Sequence, residues 1–492
     1  MSLNQGQSLK DKTVTGVGWS AAGTVLQYGV SFIVGIVLAR LLSPDEYGLI
    51  GILTIFITLF EIIIDGGFAN ALIRKKDAKD TDYSTVFYVN MILSIGMALV
   101  LFISAKPIAH FFDRTELVSL TRAMSPIIVI NALAIIQRVR LTKSIDFKPQ
   151  TLITFTAALI SGVVGVFMAF REMGVWALVG QQYTNAIMIT LLLWIYNRWW
   201  PGLRFSVNSF REMWQFGWKL LASGLLNSFS EQLHSAVIGK IYSPSTLGQF
   251  TRASQFGGLF SGNISNILSK VSYPVLSTIQ DNNDRLKDAY KRLIKTTVLP
   301  TFILMMGLCA MAKPLLITLI GEKWTEAAGF LQILCFSMMQ HPLHRLNISA
   351  LLVMGRSDLN LKINIIKNLT IIFPVAVGIL FNIYWMLIAD LVRTCFAYYL
   401  NTYYSGPLLK YPIKEQLRDV APAFILSVLI ALPVFPISLL PFSSWVVLSI
   451  QVVVWVTLGM LVLEKTKLPE YLEIKDIMNQ NLKKYVKKRL FK

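Results

Sequence analysis

Apolar runs of about 20 residues recur along the whole chain and are separated by short polar segments. A run of this length lets an α-helix cross the hydrocarbon core of a bilayer, which is about 30 Å thick. A helix also satisfies its own backbone hydrogen bonds in lipid. The pattern predicts an all-α membrane protein with about fourteen spans, at residues 17–39, 49–66, 84–104, 117–136, 151–170, 174–196, 219–241, 248–268, 297–319, 327–344, 363–381, 383–404, 420–440 and 444–463.

Basic residues are distributed unevenly between the two sides of these spans. They concentrate in every second connection, and the connections on the other side are short. Lysine and arginine accumulate in cytoplasmic loops, so both termini are predicted to be cytoplasmic. The basic connections carry Arg74, Lys75, Lys76 and Lys79; Arg138, Arg140, Lys143 and Lys148; Arg198, Arg204 and Arg211; Lys270 to Lys295; Arg345, Arg356 and Lys362; and Lys410, Lys414 and Arg418.

Composition agrees with a membrane protein and argues against other classes. Hydrophobic residues make up 54% of the chain and charged residues 15%, whereas soluble domains carry about 25% charged residues. The formal net charge of +19 does not indicate nucleic-acid binding, because topology explains where the charge lies. The three cysteines are far apart in predicted spans, and the four histidines lack ligand spacing. We therefore expect no disulfide and no metal site.

A short phrase occurs twice, each time at the end of an apolar run. Residues 40–48 (RLLSPDEYG) and 240–248 (KIYSPSTLG) both contain a basic residue, then Ser-Pro, then Gly at matching positions. A second pair, Ala105-Lys106-Pro107-Ile108 and Ala312-Lys313-Pro314-Leu315, follows in the same order at a similar spacing. A duplicated half in an apolar chain is typical of transporters.

The duplication predicts how the chain is organised. An even number of spans in each copy means that both copies insert the same way up, as parallel repeats do. We expect two six-helix lobes around a central cavity, followed by two extra helices and a basic amphipathic tail on the cytoplasmic side. The predicted boundaries are 1–200 for the N-lobe, 201–404 for the C-lobe, 405–463 for spans 13 and 14, and 464–492 for the tail.

Predicted spans 1, 2, 7 and 8 contain polar residues, which should face one another or water. A charge at mid-bilayer costs about 2.5–3.5 kcal/mol on insertion scales. Arg252 lies about one turn inside span 8, where a substrate-facing role and an ion pair with span 7 are both open. Arg40 lies at the outer end of span 1, where snorkelling to the interface is the alternative. The other candidate cavity residues are Gln255, Asn263 and Gln27.

Two acidic residues of span 2 are candidates for gating or ion coupling. Glu61 lies in the inner half of the span, where an ionisable side chain is energetically costly and usually has a functional role. Asp65 directly precedes Gly66-Gly67 near the cytoplasmic edge. For Asp65, a helix cap or a hinge is an equally physical interpretation.

Two further pairs share a helix face because their members are one turn apart. Glu231 and His234 on span 7 could relay protons or bind a cation, and a polar packing contact explains them as well. Asp390 and Arg393 on span 12 are expected to pair with each other. Both pairs remain candidates for gating or ion coupling.

Catalytic patterns do not occur in the sequence. It contains no Walker loop, and no acid pair or Ser/His/Asp set falls in a loop large enough to form an active site. We expect that the protein is not an enzyme and uses no cofactor.

Five segments follow one another in a characteristic order, at residues 39–48 (ARLLSPDEYG), 65–73 (DGGFANALI), 247–253 (LGQFTRA), 321–324 (GEKW) and 355–358 (GRSD). With these segments the chain resembles the bacterial polysaccharide repeat-unit flippases, of the O-antigen, capsule and teichuronic-acid type. These belong to the multidrug/oligosaccharidyl-lipid/polysaccharide exporter superfamily. The resemblance extends over about residues 14–463.

The resemblance implies a function. Such a protein moves a lipid-linked oligosaccharide, on undecaprenyl pyrophosphate, from the cytoplasmic to the outer leaflet of the bacterial cytoplasmic membrane by alternating access. Cavity cations would hold the pyrophosphate, which here indicates Arg252 first and Arg40 second. H⁺ or Na⁺ would supply the energy, with Glu61, Glu231 or Asp390 as candidates. Spans 13 and 14 would help to cradle the lipid tail of the substrate. Further partners would be membrane lipid and a polysaccharide biosynthesis complex.

Three other functions are possible from the sequence. An ion-coupled drug or small-solute antiporter of the same fold typically has twelve spans, so spans 13 and 14 count against it. A polytopic polysaccharide polymerase or ligase usually needs a sizeable external loop for its chemistry, and no such loop is predicted. A scaffold for a biosynthetic complex is a further alternative.

The predicted topology can be tested with reporter fusions. We expect green fluorescent protein fused after Lys76 to fluoresce and alkaline phosphatase fused there to be inactive, because that connection is basic and cytoplasmic. A fusion after Asp45 should give the opposite result. The reverse pattern at both positions would overturn the topology.

Overall fold

The protein is helical wherever its structure is described. The computed structural model describes residues 26–144, 146–279, 281–473 and 475–476, and no strand occurs within them. Most of the predicted basic tail, residues 477–492, and the start of predicted span 1 lie outside the described residues. The helices are α1 (Leu26–Leu41), α2 (Pro44–Asp65), α3 (Phe68–Arg74), α4 (Asp80–Ile103), α5 (Ala105–Phe111), α6 (Glu116–Lys143), α7 (Phe147–Phe170), α8 (Val175–Asn197), α9 (Val207–Val237), α10 (Pro244–Ser277), α11 (Asn283–Ile320), α12 (Thr325–Met338), α13 (His341–Val353), α14 (Ser357–Leu369), α15 (Ile372–Leu380), α16 (Ile383–Leu409), α17 (Ile413–Ala431) and α18 (Ser444–Thr466).

Each predicted span overlaps a helix or a pair of consecutive helices. Within the described residues, ten helical segments are long and apolar enough to cross a bilayer. Helices α9 and α10 are not among them, because of the polar residues already noted in spans 7 and 8. The apolar helical membrane fold is thus confirmed, and the count of fourteen spans stays a prediction.

Many of the basic residues that were predicted to lie in connections lie within helices, and Arg138 and Arg345 are examples. Helix α6 continues to Lys143, so Arg138 is inside it, and α13 continues to Val353, so Arg345 is inside that helix. The span prediction counted apolar residues alone, whereas arginine, glutamine and leucine also favour helix and extend it beyond the apolar run. The side of the membrane on which these residues lie stays a prediction.

The chain divides into two compact units, residues 1–248 and 249–492. In the first unit, α7 packs on α8, α4 on α6, and α9 on α2. In the second unit, α11 packs on α12, α17 and α18, and α15 packs on α16. The predicted lobe boundary at residue 200 stays a prediction.

Both copies of the repeated phrase form a helix start. Ser43 caps α2: its backbone N–H donates to the carboxylate of Glu46 at 2.6 Å, and its hydroxyl accepts from the Glu46 N–H. The hydroxyl of Ser243 accepts from the N–H of Thr246 at 3.0 Å, just before α10. A proline follows each serine, where its missing N–H costs nothing. The Ser-Pro pair is therefore an N-cap signal used twice.

The glycines that close the two phrases mark a close backbone contact within the first unit. A Cβ atom at Gly48 would overlap the carbonyl oxygen of Pro244, and a Cβ at Gly248 would overlap the carbonyl oxygen of Pro44. The first turns of α2 and α10 therefore meet reciprocally, copy against copy. Only glycine permits backbones to approach so closely.

A second close contact holds the other end of α2 against α9. Gly66 and Gly67 lie between α2 and α3 with φ of 55° and 73°, in the left-handed region. A Cβ at Gly67 would lie 2.5 Å from the carbonyl oxygen of Gly217, and one at Gly217 would lie 2.6 Å from that of Gly66. Phe68 packs beside this point against Phe210 and Trp214 of α9. Helix α2 is thus fixed at both ends.

The Gly48 contact predicts a measurable loss of stability. In Gly48→Ala the added methyl group has no space, so we expect the free energy of unfolding to fall by about 1–3 kcal/mol. Gly96→Ala on α4 is the matched control, because nothing lies within 4 Å of a Cβ there. That control should be neutral or stabilising by up to about 1 kcal/mol. Thermal unfolding of both variants in detergent checks this, and equal melting temperatures would contradict the contact.

Candidate functional site: a polar cavity in the first unit

A cavity of about 550 Å³ opens between helices of the first unit. Its apolar walls come mainly from α6 and α3, with Ile64 of α2 and Ile189 of α8. Polar groups converge on it from four helices, which is unusual for the interior of a membrane-spanning bundle. The polar lining residues are Glu61, Asp65, Asn131, Arg138, Thr142, Gln150 and Asn185.

Glu61 is the central acid of this cavity. The side-chain amide of Asn131 on α6 donates to its carboxylate at 2.6 Å. Arg138, about two turns further along α6, lines the same cavity and interacts electrostatically with Glu61. An acid, an amide donor and a cation from two helices thus face one cavity. A group of this kind can bind a proton or a small cation and change its internal pairing as it does so.

Asp65 lies on the wall of the same cavity, where it also has a structural role. It is the last residue of α2, and its carboxylate lies near the backbone N–H groups of Gly67 and Ala69. Those N–H groups belong to the start of α3, where a carboxylate stabilises a helix N-terminus. Glu61 and Asp65 thus line one cavity, and their role in gating or ion coupling stays a prediction.

A second cavity of about 340 Å³ adjoins the first. The two share Asn131 and Asn185 as lining residues. Asn185 donates to the hydroxyl of Ser161 at 3.3 Å, and Ser31 of α1 completes the polar side. Polar groups therefore extend from the Glu61 cavity toward α1, through the interior of the first unit.

In the second unit, Arg252 lies against its own neighbours on α10 and against Trp324. Its side chain is buried, with 7% exposure. One guanidinium nitrogen donates to the side-chain oxygen of Gln255 at 2.6 Å, and the guanidinium carbon lies 6.0 Å from the centre of the Trp324 ring. The predicted neighbours Arg252 and Gln255 are thus brought together.

The remaining predicted residues are more scattered. Asp390 accepts from Arg393 at 2.7 Å on α16, so their expected pairing is confirmed. On α9, Glu231 is exposed and His234 is half-buried. Arg40 and Gln27 are exposed on α1, and the side chain of Asn263 lies outside the described residues. The roles proposed for these residues, and the predicted central cavity, stay predictions.

Sequence reasoning missed most of the cavity lining. Asn131, Gln150 and Asn185 are single polar residues within apolar or helical stretches, and Arg138 was attributed to topology. An isolated amide in an apolar run is a weak signal that could have been followed. Their convergence depends on how α6, α7 and α8 pack, which the linear pattern does not contain.

Fold and cavity together define a polytopic membrane transporter. The chain matches the family described as polysaccharide biosynthesis protein over residues 37–329, which is more than half its length, and it belongs to that family. It is 25% identical over 374 residues to the lipopolysaccharide biosynthesis protein WzxC of Escherichia coli (strain K12), covering 75% of this chain and 76% of that one. It is 23% identical over 439 residues to the teichuronic acid biosynthesis protein TuaB of Bacillus subtilis (strain 168), covering 88% and 90%. The predicted resemblance is confirmed.

Solved structures show the same fold. The lipid II flippase MurJ in an inward closed conformation superposes with a TM-score of 0.73 at 15% identity, covering 95% of this chain and 99% of that chain. An inward-facing multidrug resistance transporter of the MATE family superposes with a TM-score of 0.60 at 16% identity, covering 78% and 94%. The protein is therefore a multi-pass bacterial membrane protein with a flippase-like fold.

The Glu61–Asn131 hydrogen bond can be tested by stability. In Asn131→Ala the partly buried carboxylate of Glu61 loses its donor, so we expect the free energy of unfolding to fall by about 1–3 kcal/mol. Asn70→Ala removes an exposed amide and should have little effect. Adding Glu61→Gln to Asn131→Ala should recover part of the lost free energy of unfolding. A partly buried neutral amide without that donor costs less free energy than a partly buried carboxylate without it. Thermal unfolding that shows no difference between the two single variants would contradict the interaction.

Proposed function

We propose that the protein is a flippase that moves a lipid-linked oligosaccharide, carried on undecaprenyl pyrophosphate, from the cytoplasmic to the outer leaflet for surface polysaccharide synthesis. The observation that carries this proposal is the family match combined with the fold of the lipid II flippase, which covers 95% of the chain. Two of the relatives are named for the synthesis of surface polymers. Both termini are proposed to be cytoplasmic.

Alternating access requires a seam that closes one end of the transport path. We propose the reciprocal contact of Gly48 with Pro244 and of Gly248 with Pro44 as that seam, at the outer face in the predicted topology. Two ion pairs hold the turn after α5 to the two phrases: Arg114 to Asp45 at 2.8 Å, and Asp113 to Lys240 at 2.6 Å. Opening would break all of these contacts together. The two ion pairs are partly exposed, so breaking them costs little free energy.

The cavity around Glu61 supports a coupling role. A proton or sodium ion that binds Glu61 would change its pairing with Asn131 and Arg138, which lie on another helix. Movement of α2 relative to α6 would follow, because a ligand that prefers one arrangement shifts the population toward it. Glu231, His234, Asp390 and Arg393 are secondary candidates. Moving a lipid across the bilayer requires no covalent step, so the protein is proposed to be a transporter and not an enzyme.

For substrate binding we propose Arg252 and Arg40 as pyrophosphate contacts, with Gln255, Asn263 and Gln27 lining the path. Arginine can bind a phosphate group through two parallel hydrogen bonds, which suits a doubly charged headgroup in a medium of low dielectric constant. Arg252 is buried against Trp324. Its use therefore requires a conformation in which α10 exposes the guanidinium group.

An ion-coupled antiporter for small solutes is the second candidate, because the multidrug transporter shares the fold. That structure leaves more of the chain unmatched than the lipid II flippase does, at 78% against 95% coverage. The polysaccharide family match also counts against it. A polymerase or ligase has no specific observation in its favour.

A deletion strain tests the proposed function directly. We expect mass spectrometry of its undecaprenyl-linked intermediates to show a complete lipid-linked oligosaccharide that accumulates on the cytoplasmic side, with loss of surface polymer. Single repeat units on the outer face would indicate a polymerase or ligase. No lipid-linked intermediate would indicate the solute antiporter.

In the same strain, Arg252→Ala at wild-type protein level should fail to restore export, and Arg252→Lys should restore part of it. Full restoration by Arg252→Ala would remove that residue from the substrate path.

A further inference from the structure

Helices α13, α14 and α16 of the second unit form a compact group. They meet through a small apolar core of Leu351, Ile363 and Leu400, one buried residue from each helix. Side chains at similar levels of these three helices are therefore neighbours. The group also carries several positively charged side chains, which this packing brings near one another.

Cations outnumber acids in this group. Helix α13 carries His341, His344 and Arg345 and no acidic residue. Lys367 on α14 interacts electrostatically with Arg345 on α13 and with Arg393 on α16. The same cations act on His344. Lys367 thus interacts with an arginine from each of the two neighbouring helices, in a part of the chain where charge is costly.

The acids of the three helices do not balance these cations. Their sequences contain two, Asp358 and Asp390. Asp358 is bound by two nitrogens of Arg356, at 3.0 and 2.9 Å, at the exposed start of α14. Asp390 accepts from Arg393 at 2.7 Å. Within the described residues, Arg345 and Lys367 form no ion pair with a carboxylate. An excess of positive charge therefore remains.

A buried amide beside the cations is only half satisfied. The side-chain nitrogen of Asn401 lies 2.9 Å from Nδ1 of His344, and Asn401 is fully buried. Its side-chain oxygen has no hydrogen-bond partner within the described residues. Reversing the amide would satisfy the oxygen and leave the nitrogen instead. The reversed orientation leaves a buried N–H donor beside His344, from which an oxyanion could accept a hydrogen bond.

At the corresponding position of the first repeat, the arginine has acidic residues as neighbours. Arg345 lies 207 positions after Arg138, the same offset that separates Lys106 from Lys313 in the duplicated phrases. Arg138 lines a cavity with Glu61 and Asp65 of α2. Helix α10, which follows the second copy of the phrase as α2 follows the first, contains no acidic residue. The second repeat has thus kept the arginine without the acids.

We infer that the cluster of Arg345, Lys367, Arg393 and His344 is an oxyanion-binding site, which takes a phosphate group and discriminates against cations. An oxyanion would neutralise the excess charge, and lysine and arginine would bind it through charge-assisted hydrogen bonds. The inference rests on the proposed function for the source of the phosphate, which would be the pyrophosphate of the lipid-linked substrate. A free inorganic phosphate compound shares this chemistry.

The test is binding to the purified full-length protein in detergent, with farnesyl pyrophosphate and inorganic pyrophosphate as probes. We expect Lys367→Ala and Arg345→Ala to weaken binding at least tenfold. Lys362→Ala is the matched control on the same helix: its ammonium group lies over the Tyr404 ring at 5.3 Å, outside the cluster. That variant should bind as the wild type does. Lys367→Arg should retain binding. This control distinguishes loss of the positive charge from loss of the folded structure as the cause of weak binding in Lys367→Ala.

The possible outcomes separate the site from the source of its ligand. Tighter binding of farnesyl pyrophosphate than of inorganic pyrophosphate supports a lipid-linked source, and equal binding supports a free oxyanion. Wild-type affinity in both cluster variants, or no binding to the wild-type protein, would overturn the site. If the deletion strain shows no lipid-linked intermediate but the cluster variants still lose pyrophosphate, the site stands and the flippase function fails. If that intermediate accumulates and binding is unaffected in the variants, the flippase function stands and the site fails.

Discussion

Backbone contact between the two copies of a repeated phrase is the constraint on which the first unit depends. Ser43 and Ser243 each start a helix. Gly48 and Gly248 let the backbones of these two helix starts contact each other directly. No larger residue fits there, since a Cβ would overlap a carbonyl oxygen. Helix α2 is held at this end by α10 and at the other by α9 through Gly217. The position of Glu61 between these two contacts follows from them.

Charge inside the bilayer is the second organising factor. A charged side chain in a membrane-spanning segment is tolerated where other groups of the protein balance it. In the first unit Glu61, Asp65 and Arg138 share a cavity, with Asn131 bonded to the acid. In the second unit the corresponding arginine has cations as neighbours. The two copies of the duplicated phrase are thus followed by helices whose charged groups differ in sign balance.

Local signals in the sequence were reliable, and signals that depend on packing were not. The apolar runs predicted where helices lie, and the Ser-Pro pairs, which indicated a duplication, proved to be two helix starts as well. Arg138 and Arg345 were assigned to connections because apolar length alone does not show how far a polar helical segment continues. Glu61 and Asp65 were identified as candidates, whereas Asn131, Gln150 and Asn185 were not, because each looks unremarkable on its own helix.

The sequence by itself determined the helical membrane class, the duplication, the family and the basic side of the connections. These depend on residue type and on spacing along the chain, which a helix translates directly into length and face. Only the tertiary structure decided which polar side chains share a cavity and which cations form a cluster. That outcome depends on the rotation and approach of helices far apart in the chain, set by glycines and small apolar cores. The pairing of Glu61 with Asn131, 70 positions later, is of this kind.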